Sequence, residues 1–136
     1  MMINIVITGT KSKKLKTDLT NACMFYMKQL GFRKRKRVLE IFINIGHFDE
    51  YGLCEFNDDY YWPEITIQIN RDYGYEEMLK TLAHEIVHAK QYLRKELKQI
   101  GEQLYWMGKP SNNEEWEVEA YVREEKLYNE YINGNI

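Results

Sequence analysis

The sequence predicts an α+β domain in which a small, mostly antiparallel sheet packs against helices, and three observations lead there. Aliphatic residues alternate with other side chains at Leu39, Ile41, Ile43 and Ile45, and again at Ile65, Ile67 and Ile69, the period-two pattern of strands with one buried face. From Gly74 onward the period lengthens: Leu79, Leu82, Ala83, Ile86, Leu93, Leu97 and Ile100 fall on one stripe of a long helix. The strand patterns are grouped ahead of the later helices, giving the order β-α-β-β-β-α-loop-α.

Each element has its own signal. Ile3, Ile5 and Ile7 alternate with Asn4 and Val6 as in a short strand. Leu15, Leu19, Ala22, Cys23, Tyr26 and Leu30 recur at helical spacing, with Gly31 as the stop. The strand from Leu39 to Ile45 is followed by a turn and by Leu53–Phe56, read as the second strand of a hairpin. Asn57-Asp58-Asp59 marks another turn before the strand Ile65–Ile69. Gly74 serves as the N-cap of the long helix, with Glu77 at its third position. Gly101 to Pro110 reads as a loop. Ser111 with Glu114 three residues later is a capping-box pattern that starts a last helix running to about Asn133. No repeat, low-complexity tract or Pro/Ser-rich linker interrupts the chain, so residues 1–136 read as one domain.

Composition narrows the class. At 136 residues and 44% hydrophobic content, the chain suits a packed globule and not a disordered segment. No apolar run approaches the ~20 residues of a membrane span, and Met1–Thr10 is too short and polar for a signal peptide. Cys23 and Cys54 are too few for a disulfide framework and lack metal-pair spacing, so both read as reduced thiols of a cytoplasmic protein. The net charge of −2 conceals an asymmetry. Residues 1–39 carry ten Lys/Arg against one acid, and residues 40–136 nine against twenty, or +9 and −11. The run Arg33-Lys34-Arg35-Lys36-Arg37 could grip phosphates or an acidic partner; no stacking aromatic platform or recognition helix accompanies it.

The chemistry-bearing pattern is His84-Glu85-Ile86-Val87-His88 on the long helix. Histidines four apart stack on one face about 6 Å apart along the axis, suited to sharing a tetrahedral ion. Glu85, about 100° further round, sits beside such an ion and not on it, where a general base for an activated water belongs. A catalytic zinc takes three protein ligands. Gln91 and Arg94 stand where a longer histidine motif would place Gly and His, and no histidine follows His88. The third ligand is therefore His47 or, better, a carboxylate of the last helix, which offers Glu114, Glu115, Glu117, Glu119, Glu124 and Glu125.

His84-Glu-Ile-Val-His88 with Glu117-Val118-Glu119-Ala120-Tyr121 downstream resembles the gluzincin metallopeptidases, and over residues 60–130 the chain looks like minigluzincins and small SprT-like or phage-encoded members. The resemblance implies a zincin-like fold with an active-site helix and a C-terminal glutamate-bearing helix. It also implies zinc held by His84, His88 and Glu117, with Glu119 the next choice, and Glu85 as the catalytic base. Ala120 would let the two helices approach. Tyr121 stands where the family has Asp or Asn, and its hydroxyl would orient a ligand histidine. The expected activity is hydrolysis of a peptide or protein substrate. Such enzymes bind substrate as an added strand on a sheet edge, here Ile65–Ile69, and Tyr105 or Tyr121 would donate to the oxyanion. The alternative expectation is a non-catalytic binding or regulatory module that contacts nucleic acid through Arg33–Arg37.

Overall fold

Alternation becomes β-structure at four places: β1 (Ile3–Thr8), β2 (Leu39–Gly46), β3 (Gly52–Asn57) and β4 (Glu64–Asn70). The structure, a computed structural model, describes residues 3–32, 38–58 and 63–134, so the basic run Arg33–Arg37 lies outside the described residues. The strands form one sheet in the order β1-β2-β4-β3. Leu39, Ile41, Ile43 and Ile45 of β2 and Ile65, Ile67 and Ile69 of β4 are all buried on one face. Each such side chain contributes about 1.5–3 kcal/mol of burial.

The sheet is not mostly antiparallel. β1 pairs with β2 in parallel, β2 pairs with β4 in parallel, and only β3 and β4 run antiparallel. The first parallel pair follows from helix α1 (Lys13–Gln29), whose length returns the chain to the starting end of the sheet. The expected hairpin between β2 and β3 is also absent, because β4 lies between them. β4 has isoleucine at every inward position and gains most from two neighbours. β3 offers Gly52, Cys54 and Phe56 there, and its outward side carries Leu53 and Glu55, a composition suited to an edge.

Two helices cover the buried face. Ser12 caps α1, its hydroxyl accepting from the Leu15 amide at 3.1 Å, and α1 buries Leu19, Ala22, Cys23, Tyr26 and Met27. Beside it lies α2 (Tyr75–Leu93), which begins after Gly74 at φ +92°, a conformation favouring glycine. Having no side chain, Gly74 makes no capping-box bond. The Tyr26 hydroxyl donates to the Leu79 carbonyl at 3.0 Å, joining the two helices.

α2 is shorter than its apolar stripe suggests. It closes in a Schellman arrangement: Lys95 takes the left-handed position (φ 60°), its amide donates to Tyr92 O, and the Glu96 amide donates to Gln91 O at 2.9 Å. Leu97 and Ile100 therefore belong to a strand, β5 (Leu97–Ile100). The expected loop folds as β6 (Gln103–Trp106) and β7 (Lys109–Pro110), completing a three-stranded antiparallel sheet. The last helix, α3 (Glu115–Gly134), starts four residues after Ser111. Glu114 sits at φ 55°, so the Ser111–Glu114 box does not form; the Ser111 hydroxyl instead donates to the Glu115 carboxylate. α3 packs on α2 through Ala120, Leu127 and Tyr128, members of the same apolar core as the sheet isoleucines.

Candidate metal centre

α2 and α3 meet where the His-Glu-x-x-His sequence faces Glu117. His84 Nε2 lies 3.2 Å from His88 Nε2 and 3.2 Å from Glu117 Oε1, and His88 Nε2 lies 2.5 Å from the same oxygen. Tetrahedral bonds of about 2.05 Å separate ligand atoms by about 3.3 Å, close to two of these three spacings. Ala120, fully buried one turn after Glu117, allows the helices to come this near.

The outer nitrogens explain why both Nε2 atoms point inward. The Nδ1 of His84 lies 2.9 Å from Glu124 Oε1, and that of His88 lies 2.8 Å from Gln91 Oε1. Gln91 is fully buried and its amide is oriented by its own donors, which reach Trp116 O at 2.9 Å and Glu119 Oε1 at 2.8 Å. Its oxygen is left to accept from His88. With Nδ1–H donated outward on both rings, each Nε2 presents a lone pair to Glu117. With both rings neutral, two lone pairs and a carboxylate converging on one point repel unless a proton or a metal cation sits among them, and His84, His88 and Glu117 could hold a metal ion.

Glu85 stands beside this cluster. It is 5% exposed and lines a cavity of about 620 Å³ together with both histidines and Glu117. No hydrogen bond or ion pair among the described residues engages its carboxylate. Burial pushes the Glu85 carboxyl up to about 7; the nearby His84 opposes this, while the charges of Glu117, Glu124 and Glu50 add to it. Burial lowers both histidines. At His84 the Glu124 hydrogen bond and the surrounding glutamates outweigh it, so that its pKa is raised, whereas His88 remains lowered.

The other expected residues fall elsewhere. His47 pairs with Asp72 on the exposed surface before β3 and is outside the cluster. Glu119 points to Lys90, with a 2.9 Å ion pair, and to Arg123 at 3.2 Å. Burial would raise Glu119, but the bonds from Gln91 and Lys90 hold it below the usual carboxylate range. Tyr121 places its ring 4.7 Å from that of His84, yet the group bonded to His84 Nδ1 is Glu124. Tyr105 lies in β6 opposite Lys98 and Pro110 and does not line the cavity.

The strand assigned to receive substrate also changes. β4, which contains Ile65–Ile69, is flanked on both sides and has no free edge. Of the two edge strands, β1 and β3, it is β3 whose residues Gly52, Leu53 and Cys54 line the cavity. A Cβ on Gly52 would lie 2.4 Å from Thr81 Cγ2 and 3.0 Å from Glu85 Oε2, so the glycine is what permits α2 to lie against this edge.

From sequence Glu124 is only one of six candidate ligands and Gln91 only the residue that rules out a longer histidine motif; their bonds to the outer histidine nitrogens are not expected, although a signal exists. Gln91 is one helical turn after His88, and Glu124 is two turns after Glu117, so each shares a face with its neighbour. Comparison of the chain with protein-family models, curated proteins and solved structures gives no match. Among the described residues, no helix is long and apolar enough to cross a membrane.

Proposed function

We propose that this chain is a zinc-dependent metallopeptidase of the gluzincin type. The observation that carries the reading is the convergence of His84 Nε2, His88 Nε2 and Glu117 Oε1 beside a buried, unengaged Glu85 in one cavity. Two imidazoles and a carboxylate form a recognised catalytic zinc set, leaving a position open to the cavity. When bound, zinc lowers the pKa of water toward ~7 and polarises a peptide carbonyl.

The chain's own residues do the rest. Gln91 and Glu124 fix the two rings so that their lone pairs face the open side. Glu85, buried beside the cluster, takes a proton from the attacking water and delivers it to the departing amine. Water adds across the C–N bond, giving a carboxylic acid and an amine. The free edge of β3 offers main-chain donors and acceptors to an extended peptide, aligning a carbonyl over the site.

The test is elemental analysis of the purified chain together with peptide hydrolysis by the wild type and Glu85→Gln. The expected result is about one zinc per chain in both proteins, and a loss of about 10²–10⁴-fold in rate for the variant. Bound zinc with activity unaffected by the substitution would sink the catalytic role of Glu85. A chain that binds no zinc removes the metal site itself.

A further inference from the structure

The cavity is long and its two ends differ. Glu77, Thr81, His84, Glu85, His88 and Tyr92 all line it and occupy successive turns of α2, a run of about 22 Å at 1.5 Å per residue. At the end near the start of α2, the lining is Glu77 with Glu50 and Tyr51 from the segment between β2 and β3. That segment is pinned: buried Asn70 donates through Nδ2 to Phe48 O at 2.6 Å and Glu50 O at 3.1 Å, and its amide donates to Tyr51 O at 2.9 Å. Tyr51 in turn stacks on Tyr73 with ring centres 4.2 Å apart.

At the other end the lining is Tyr92, Leu97, Leu104 and Trp116. Phe56 stacks on Tyr92 at 5.7 Å, and the Gln91 side chain ties the Trp116 carbonyl to the end of α2. Glu124 stands with Glu117 between the two ends. Among the described residues the lining includes five glutamates besides tyrosines and apolar groups, and no lysine or arginine.

Acidic side chains on a surface are commonly just solvated. Here they belong to a concave cleft into which Glu85, more than nine-tenths buried and with no hydrogen bond or ion pair among the described residues, also opens. Negative charge gathered in a walled cleft concentrates cations there. An aromatic and aliphatic wall gains from burying an apolar side chain.

Resting on the peptidase reading above, we infer that the cleft takes a peptide segment carrying a positive charge on the Glu50–Glu77 side of the cleaved bond and an apolar or aromatic side chain on the Tyr92–Trp116 side. The charge is a cationic nitrogen group, supplied by a lysine or arginine side chain or by the substrate's own amino terminus. Glu50 and Glu77 are the specificity-determining residues for it, and the pinned segment before β3 keeps Glu50 in place.

The experiment uses the zinc-loaded full chain and a mixture of synthetic peptides, each made with a free and with an acetylated amino terminus, with cleavage positions read by mass spectrometry. Cleavage is expected between a cationic and an apolar position. If acetylation abolishes it the cation is the amino terminus, and if acetylation is without effect it is a side chain. For a peptide pair differing by lysine against norleucine, or by free against acetylated terminus where that is the cation, the expected ratio of kcat/KM is tenfold or more. That ratio should collapse to near one in Glu50→Gln/Glu77→Gln, with zinc content retained, and should shrink as salt rises. A wild-type ratio near one, or a ratio that survives the double substitution, overturns the inference and leaves the peptidase reading standing. Failure to cleave any peptide overturns the peptidase reading. Fluorescence anisotropy with the same peptide pairs then decides the inference: tighter binding of a cationic member, lost in the double variant, supports it. Equal or absent binding of both members overturns it.

Discussion

Glu124 Oε1 lies 2.9 Å from His84 Nδ1, while Glu117 Oε1, two helical turns earlier on α3, lies 3.2 Å from the other nitrogen of the same ring. One helix therefore grips this imidazole from both sides. The outward hydrogen bond sets the tautomer, and a carboxylate acceptor raises the electron density on Nε2. Glu124→Ala is predicted to weaken zinc binding about 10–100-fold, and Glu124→Gln, which keeps an acceptor oxygen, to weaken it less. Competition against a chromophoric chelator measures both. Equal affinity in all three proteins removes the orienting role from Glu124.

Lys90 and Glu119 form a second link between α2 and α3, and their side chains are 4% and 20% exposed. Removing the carboxylate leaves a buried ammonium with Glu96, 3.0 Å away, as its remaining acidic partner. Breaking a buried pair costs about 3–5 kcal/mol when nothing replaces it. With Glu96 still present, Glu119→Gln is predicted to cost about 2–3 kcal/mol, with zinc stoichiometry retained. Glu117→Gln should do the reverse, losing zinc while the metal-free protein keeps its stability. Urea unfolding of the metal-free proteins and elemental analysis of the loaded ones separate these outcomes, and exchanged phenotypes would reassign the third ligand to Glu119.

Asp18 accepts from Lys14 Nζ at 2.7 Å and from the Tyr75 hydroxyl at 2.7 Å, and these bonds, Lys14 first, hold its pKa below the ordinary aspartate value. Folding thus favours the ionised form. Its contribution to stability is complete above the unfolded-state pKa of about 3.9 and is lost as the pH falls through the lower folded value. Asp18→Asn should show a shallower loss of stability on acidification from about pH 6 to about pH 3 than the wild type. The check is the urea midpoint at each pH, and parallel curves for the two proteins would refute the prediction.

What the sequence could convey follows from which interactions are local. The spacing of His84 and His88 and the isoleucine alternation of β2 and β4 are properties of a few consecutive residues, so their positions on a helix and on strands could be read directly. The partners of β3 could not, because pairing with β4 in preference to β2 depends on which strand buries more on both sides. The end of α2 was hidden for a different reason. Lys95 adopts a left-handed conformation that glycine usually occupies, and Leu97 and Ile100 continue the helical stripe by coincidence. Of the six candidate carboxylates at and after Glu114, spacing alone favours none, and the choice of Glu117 comes from the gluzincin resemblance. Only the register of α3 against α2 aims Glu117 at the histidines, Glu119 at Lys90 and Glu124 at the outer nitrogen of His84.

At Gly52 the edge strand β3 packs directly against the histidine-bearing helix. A methyl group there would lie 2.4 Å from Thr81 Cγ2, 3.0 Å from Gln68 O and 3.0 Å from Glu85 Oε2. Thr81 is 7% exposed and Glu85 is 5% exposed, so neither has open space into which to withdraw. Gly52→Ala must push β3 away from α2 or turn the Glu85 carboxylate, and overpacking of this kind costs about 1–3 kcal/mol. Thr81→Ser removes the methyl carbon responsible for the worst contact. The double variant Gly52→Ala/Thr81→Ser is therefore predicted to recover most of the stability lost in Gly52→Ala, a coupling expected of residues in direct contact. Catalysis should recover less than stability, because the contact with Glu85 Oε2 remains after the threonine methyl is gone. Urea unfolding of the wild type, both single variants and the double, with peptide hydrolysis measured on the same four proteins, tests this. Strictly additive stability changes would mean that Thr81 is not what excludes a side chain at position 52.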